Sequence, residues 1–299
     1  MKQFLCFFLL SGFILSHNYF SGYSLSQHPH FIFLRFARLW PVHFVILTLM
    51  IVGPSLFSMT NDSIKSLAEE LLMIRSWFHS EQAWNYPAWS ISAEWFAYIF
   101  VFPLAFILYK RLKSCLALTI VVALFLTAQA LLPLTLLPGR CGSIFFLFLA
   151  GSGLYRLFCL VKNPPAEAIA LCGALLLGCY VLFSRSISVM VLYIAFALLI
   201  FGLSYERGFL ARFLSKKIVV QGGLASYSLY MTHALVIRDY LFVFWDRLPG
   251  SIILRLMIFV LLVGFLAGTA FIFYHYIEEP ANRALRRSYN KIRGKPPQI

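Results

Sequence analysis

The chain has 299 residues, 61% hydrophobic and only 12% charged, and its mean hydropathy is +0.82. Soluble domains of this length do not reach that apolar fraction, so composition excludes them and leaves a multi-pass membrane protein. The net charge of +14 raises nucleic acid as a partner, but the basic residues lie mostly in short loops between apolar runs, where membrane topology explains them and no nucleic-acid role is needed.

Nine runs are long enough to span a bilayer, at about 4–20, 40–58, 90–109, 115–132, 141–159, 166–183, 187–204, 218–241 and 252–275. Each meets the roughly 17–25 residues a crossing helix needs. The fold class is therefore all-α, a polytopic membrane helix bundle of about nine transmembrane helices in one domain over 1–299. Six cysteines (Cys6, Cys115, Cys141, Cys159, Cys172, Cys179) lie in or beside these runs without metal-type clustering. They read as buried thiols, neither disulfides nor ligands, and no metal is expected.

The first run opens MKQFLCFF. Lys2 and residues 4–15 imitate a signal peptide, but Ser16-His17-Asn18-Tyr19-Phe20 offers no small-x-small cleavage site. A hydrophilic stretch over 21–39 follows, carrying His28, His30, Arg35 and Arg38 ahead of the second run. Two guanidiniums three residues apart share a helical face and suit the forked recognition of phosphate. Read from composition alone, they are positive-inside anchors.

A hydrophilic segment over 59–87 holds Trp77, His79 and Trp84, which read as an interfacial aromatic belt or as platforms for sugar rings. The third run then carries Glu94 into apolar sequence. An ionisable group at the centre of a membrane helix costs about 2.5–3.5 kcal/mol on insertion scales, so it needs a partner or a task. Ser90, Glu94 and Tyr98 fall at i, i+4 and i+8, placing a hydroxyl, a carboxylate and a phenol on one face. Arg140 opens the fifth run from the same side and is a candidate ion-pair partner. The plainer reading makes Glu94 a carboxylate on the positive end of the helix dipole, contributing about 0.3–1 kcal/mol.

In the eighth run, Ser226, Tyr230 and His233 again share a face. His233 lies about fourteen residues from the basic end, or roughly 21 Å along a helix rising 1.5 Å per residue. An imidazole at that depth is either a packing hydrogen-bonder or a general base with an unperturbed pKa of about 6.5. Glu278-Glu279-Pro280 closes the last run and reads as a cap.

Alternate loops divide the charge. Arg35, Arg38 and the loops at 110–113, 156–162 and 207–217, with the tail after 276, hold seventeen Lys and Arg, against eight on the other side. The positive-inside rule puts the C-terminus in the cytoplasm and the first residues outside. One further helix upstream would return the N-terminus to the cytoplasm.

Five fragments in order resemble the acyltransferase-3 family of integral membrane O-acyltransferases: FFLLSGFIL (7–15), RFARLWP (35–41), WSISAEWFAYIFVFP (89–103), RCGSIFFLFLAGSGLY (140–155), and ASYSLYMTHALV (225–236) with IEEPANRALRR (277–287). The resemblance implies transfer of an acyl group, commonly acetyl, from cytoplasmic acyl-CoA to a hydroxyl of an extracytoplasmic glycan. It implies that Arg35 and Arg38 receive the CoA phosphates, and that Glu94 and His233 serve catalysis. Arg140, Tyr230 and Ser226 would then shape the acceptor side. It also implies a bacterial inner-membrane location, with O-antigen or another surface polysaccharide as acceptor. Family members usually begin with a further helix bearing an Arg and a His about ten residues apart; no such pair stands near the start of this sequence, so an upstream helix is expected. Two other readings stay open: a transporter or flippase for a glycan or lipid precursor, since polar helix faces also build translocation paths, and a non-catalytic remnant of the enzyme.

Overall fold

The computed structural model describes residues 2–52, 64–79, 84–132, 141–184, 186–244 and 251–292. Among them there are helices and no strands. In chain order the helices are α1 (Lys2–Tyr19), α2 (His28–Val52), α3 (Ile64–Leu71), α4 (Arg75–Phe78), α5 (Ala88–Phe96), α6 (Phe102–Lys110), α7 (Cys115–Leu131), α8 (Gly142–Leu160), α9 (Ala166–Phe183), α10 (Val189–Leu203), α11 (Phe209–Leu214), α12 (Lys217–Phe244), α13 (Ile252–Phe273) and α14 (Glu279–Ile292). A π-helical turn, Ala97–Val101, joins α5 to α6, and a second, Tyr274–Glu278, joins α13 to α14. Every one of the nine apolar runs overlaps a helix, and the chain is an all-α membrane helix bundle.

Two expectations change. The stretch 21–39 is helical from His28 onward, so Arg35 and Arg38 lie inside α2 and not in a loop before it. Pro29 sits in the first turn, where a missing N–H costs nothing, and Phe31, Ala37 and Leu39 are then buried on more than one side of the helix. Of the six cysteines, all free, Cys6 and Cys141 are buried while Cys115, Cys159, Cys172 and Cys179 are exposed. Apolar patterning does not separate core-facing from lipid-facing positions in such helices, because both are apolar.

The chain forms two compact units. The first comprises Met1–His28, Ser76–Ser80 and Ala93–Lys216. Its centre is the crossing of α1 on α8, where backbone meets backbone. A Cβ on Gly12 would stand 2.2 Å from the Phe148 carbonyl oxygen, and one on Gly151 would stand 2.0 Å from that of Leu9. Small residues allow this approach, which is how helices associate where lipid removes the hydrophobic drive. Ser152 Oγ seals the crossing by donating to Gly12 O at 3.3 Å and Phe148 O at 3.1 Å. Helix α7 packs on α8 and α9 on α10. Ser114 and Ser188 cap α7 and α10 by accepting from Ala117 N and Met190 N, each at 3.3 Å. At the bend after α1, Tyr23 donates to His28 Nδ1 at 2.7 Å, and burial pushes its hydroxyl up to about 12.

The second unit comprises Pro29–Arg75, Glu81–Ser92 and Lys217–Ile299. Helix α12 packs on α13, and α13 leaves Ile253, Leu256, Val260 and Leu261 exposed, as a lipid-facing helix must. Helix α3 docks on α2: Trp40 Nε1 donates to Leu71 O at 3.2 Å, and His43 Nε2 donates to Glu70 O at 2.7 Å. Arg75 closes the same region, 3.4 Å from Glu69 Oε2 and 3.9 Å from Glu70 Oε1. Buried carboxylates persist only with such partners.

Candidate active site

Helix α5 carries the polar stripe expected of it, and the boundary between the units falls within it, between Ser92 and Ala93. In the first unit, Glu94 is 6% exposed. Its Oε1 accepts from Ser11 Oγ at 2.9 Å and also from the Tyr98 hydroxyl. Spacing brings Tyr98 to Glu94, one turn along the helix. Ser11 arrives from α1, 83 residues away in sequence. Two O–H donors on one oxygen offset the desolvation of a buried carboxylate. Tyr98 belongs to the π-helical turn, a type of irregularity found often at functional sites.

In the second unit, Ser90 Oγ donates to Tyr230 OH at 2.8 Å, with Pro87 O an alternative acceptor at 3.1 Å. The Tyr230 hydroxyl also donates to Pro87 O at 3.2 Å. His233 Nδ1 lies 2.5 Å from Tyr230 O. A carbonyl only accepts, so Nδ1 carries the proton and the lone pair of the neutral ring is on Nε2. Ser226 stands apart: it is exposed and bonds its own helix at Gly223 O, 2.7 Å away. Two residues on, Ser228 is fully buried and donates to Glu278 Oε2 at 2.6 Å.

Arg38 lies within electrostatic range of the buried Glu278 carboxyl. Arg35 lies over the Phe31 ring, 6.0 Å from its centroid. Beside them Tyr289 of α14 stacks on Phe33 at 4.1 Å and on His30 at 5.2 Å. Arg140 lies outside the described residues. Among the described residues no group of His, Cys, Asp and Glu forms a metal-binding set. Trp77 packs on Phe96 and Phe100 at 5.6 and 5.7 Å, within the first unit.

Sequence reasoning did not single out Ser11, Ser228 or His43. The available signal for Ser11 was a hydroxyl beside a glycine in an otherwise apolar helix. For Ser228 it was an i, i+4 spacing to Thr232 on the face opposite Ser226, a face that turns out to be the buried one.

The family described as an acyltransferase domain matches residues 6–276. The chain belongs to the acyltransferase-3 family. No curated protein and no solved structure matches it. As an acyltransferase-3 protein it is a multi-pass membrane acyltransferase, and the matched span contains Ser11, Arg35, Arg38, Glu94, Tyr230 and His233.

Proposed function

We propose that the chain moves an acyl group, acetyl in the first instance, from cytoplasmic acyl-CoA to a hydroxyl of an extracytoplasmic glycan or lipid-linked sugar. Its place is the bacterial inner membrane with the C-terminus in the cytoplasm, a reading supported by the seventeen-to-eight division of Lys and Arg among its loops. The observation that carries the proposal is the buried Glu94 carboxylate, held by Ser11 and Tyr98 inside an apolar helix. A membrane protein keeps such a charge where chemistry or transport uses it, and the family makes that chemistry acyl transfer.

Arg35 and Arg38 grip the CoA phosphates. His233 Nε2 takes the proton of the acceptor hydroxyl as its oxygen attacks the thioester carbonyl; the C–S bond then breaks and CoA leaves as the thiol. Glu94, Tyr230 and Ser226 belong to the acceptor side, with Arg140. Acetyl-CoA labelled in the acyl carbon, supplied to the protein in nanodiscs with a surface-glycan extract, tests the reading. Label in base-labile linkage to glycan supports it, with the signal falling in Glu94→Gln and His233→Gln. Glycan that crosses the bilayer without becoming labelled would instead favour a transporter.

A further inference from the structure

The turn entering α5 holds a side chain that the acyl-transfer chemistry leaves unused. Asn85 is 3% exposed, and neither its Nδ2 nor its Oδ1 has a hydrogen-bond partner among the described residues. A buried carboxamide without partners is costly, and a polar ligand against it would relieve that cost.

The neighbouring carbonyls are already engaged. Asn85 O accepts from Ala88 N at 3.0 Å, and Pro87 O accepts from Ser90 N at 3.2 Å as well as from the Tyr230 hydroxyl. The Asn85 amide alone is left over, in the same turn that receives Tyr230 and one helical turn along from which His233 is anchored. Its flanks are aromatic: Tyr86 is 52% exposed, and Trp84 is half-buried with its Nε1 on Ser66 Oγ at 3.1 Å.

We infer that Asn85 is a recognition residue for a carbohydrate acceptor. Its carboxamide engages two neighbouring ring hydroxyls, Nδ2 donating to one oxygen while Oδ1 accepts from the next O–H. A carboxamide pairs donor and acceptor side by side, as a vicinal diol does. A carboxylate offers acceptors alone and an ammonium donors alone. The exposed Tyr86 ring gives the apolar face of the same sugar a surface to lie on. The assignment rests on the glycan-acceptor reading above, and it names a group that selects the acceptor without taking part in bond making.

The test is binding, so that it stands apart from turnover. Saturation-transfer NMR is recorded on the full chain in nanodiscs with methyl galactoside, methyl glucoside and methyl rhamnoside, each beside its mono-deoxy analogues. The expected result is saturable binding of at least one glycoside, weakened roughly tenfold or more by Asn85→Leu and by removal of one ring hydroxyl, as loss of a buried hydrogen-bonded pair requires. Thermal midpoints should stay close to the parent, because leucine fills the same space without polar atoms. Asn85→Asp keeps the acceptor and loses the donor, and serves if the leucine variant does not fold. Undiminished binding in either variant, no glycoside binding at all, or loss of the fold in both variants overturns the assignment. Acetyl-CoA turnover is measured separately. Glycoside binding without turnover retains the subsite and removes the acyl-transfer reading; acetylation of an acceptor that is not a sugar does the reverse.

Discussion

Ser11 Oγ lies 2.9 Å from Glu94 Oε1, donating across 83 residues of sequence into a carboxylate that also holds the Tyr98 hydroxyl. The contact depends on α1 lying against α8 at van der Waals distance, since Gly12 follows Ser11 and has no side chain to keep the helices apart. Packing and electrostatics in this unit are therefore one arrangement, and changing either reaches the other.

Glu94→Gln keeps the shape and an accepting oxygen while removing the charge. The thermal midpoint should change little, and acyl transfer should fall by about 100-fold or more, the scale on which one fixed polar group at a reacting centre acts. Turnover of labelled acetyl-CoA checks it. Full activity in this variant would show that the negative charge has no part in the reaction.

Ser11→Ala and Tyr98→Phe each remove one donor to a buried charge, worth about 1.5–3 kcal/mol. Both should destabilise the protein in detergent. The double variant should be worse than the sum of the singles, because the second loss leaves Oε1 without either hydroxyl. Denaturation midpoints of the four proteins decide this. Additive losses would mean the two hydroxyls act independently.

Gly151→Ala should be harsher than an ordinary surface substitution, since its methyl group meets backbone and no flexible side chain can yield. Overpacking costs about 1–3 kcal/mol or more. Gly12→Ala should match it, whereas Gly178→Ala on the same unit, where nothing lies within 4 Å of an added Cβ, should be neutral or stabilising. Melting curves of the three proteins in one detergent make the comparison.

Arg38 and Glu278 interact electrostatically, and Ser228 donates to the same carboxyl. Arg38→Gln should raise KM for acyl-CoA by about tenfold or more, as expected for one lost charge-assisted contact. Glu278→Gln should give a smaller change in the same parameter, because it removes a nearby charge and leaves the guanidinium itself in place. KM for the acceptor should stay put in both. An effect confined to the acceptor would place Arg38 away from the donor.

Hydropathy made the helices legible, because a run of about twenty apolar residues has few other structures open to it. The start of α2 was not legible. Arg35 and Arg38 gave 21–39 the composition of a loop, and only the structure shows a helix in which they share the face of the buried Phe31, with Arg35 lying over its ring. The Glu94–Tyr98 contact follows from i, i+4 spacing. Ser11 does not, since its partner is fixed by a tertiary crossing. Asn85 was invisible for a different reason: an amide in a turn is ordinary, and only its burial without partners makes it unusual. The choice between Ser226 and Ser228 turned on which face of α12 is covered, and helical periodicity alone assigns no face to the core.

The π-helical turn at Ala97–Val101 holds one residue more than an α-helix would need over the same rise. Loss of a single codon there, other than that of Tyr98, would let the segment relax to ordinary pitch while Phe102 and Phe106 keep their buried faces, because the wide turn is what absorbs the extra residue. A codon lost from the regular helix on either side would instead turn everything beyond it by about 100°. The two alleles would look alike by hydropathy, each keeping its frame. Only the second is expected to behave as a null, which makes this short stretch a tolerant place in natural sequence variation.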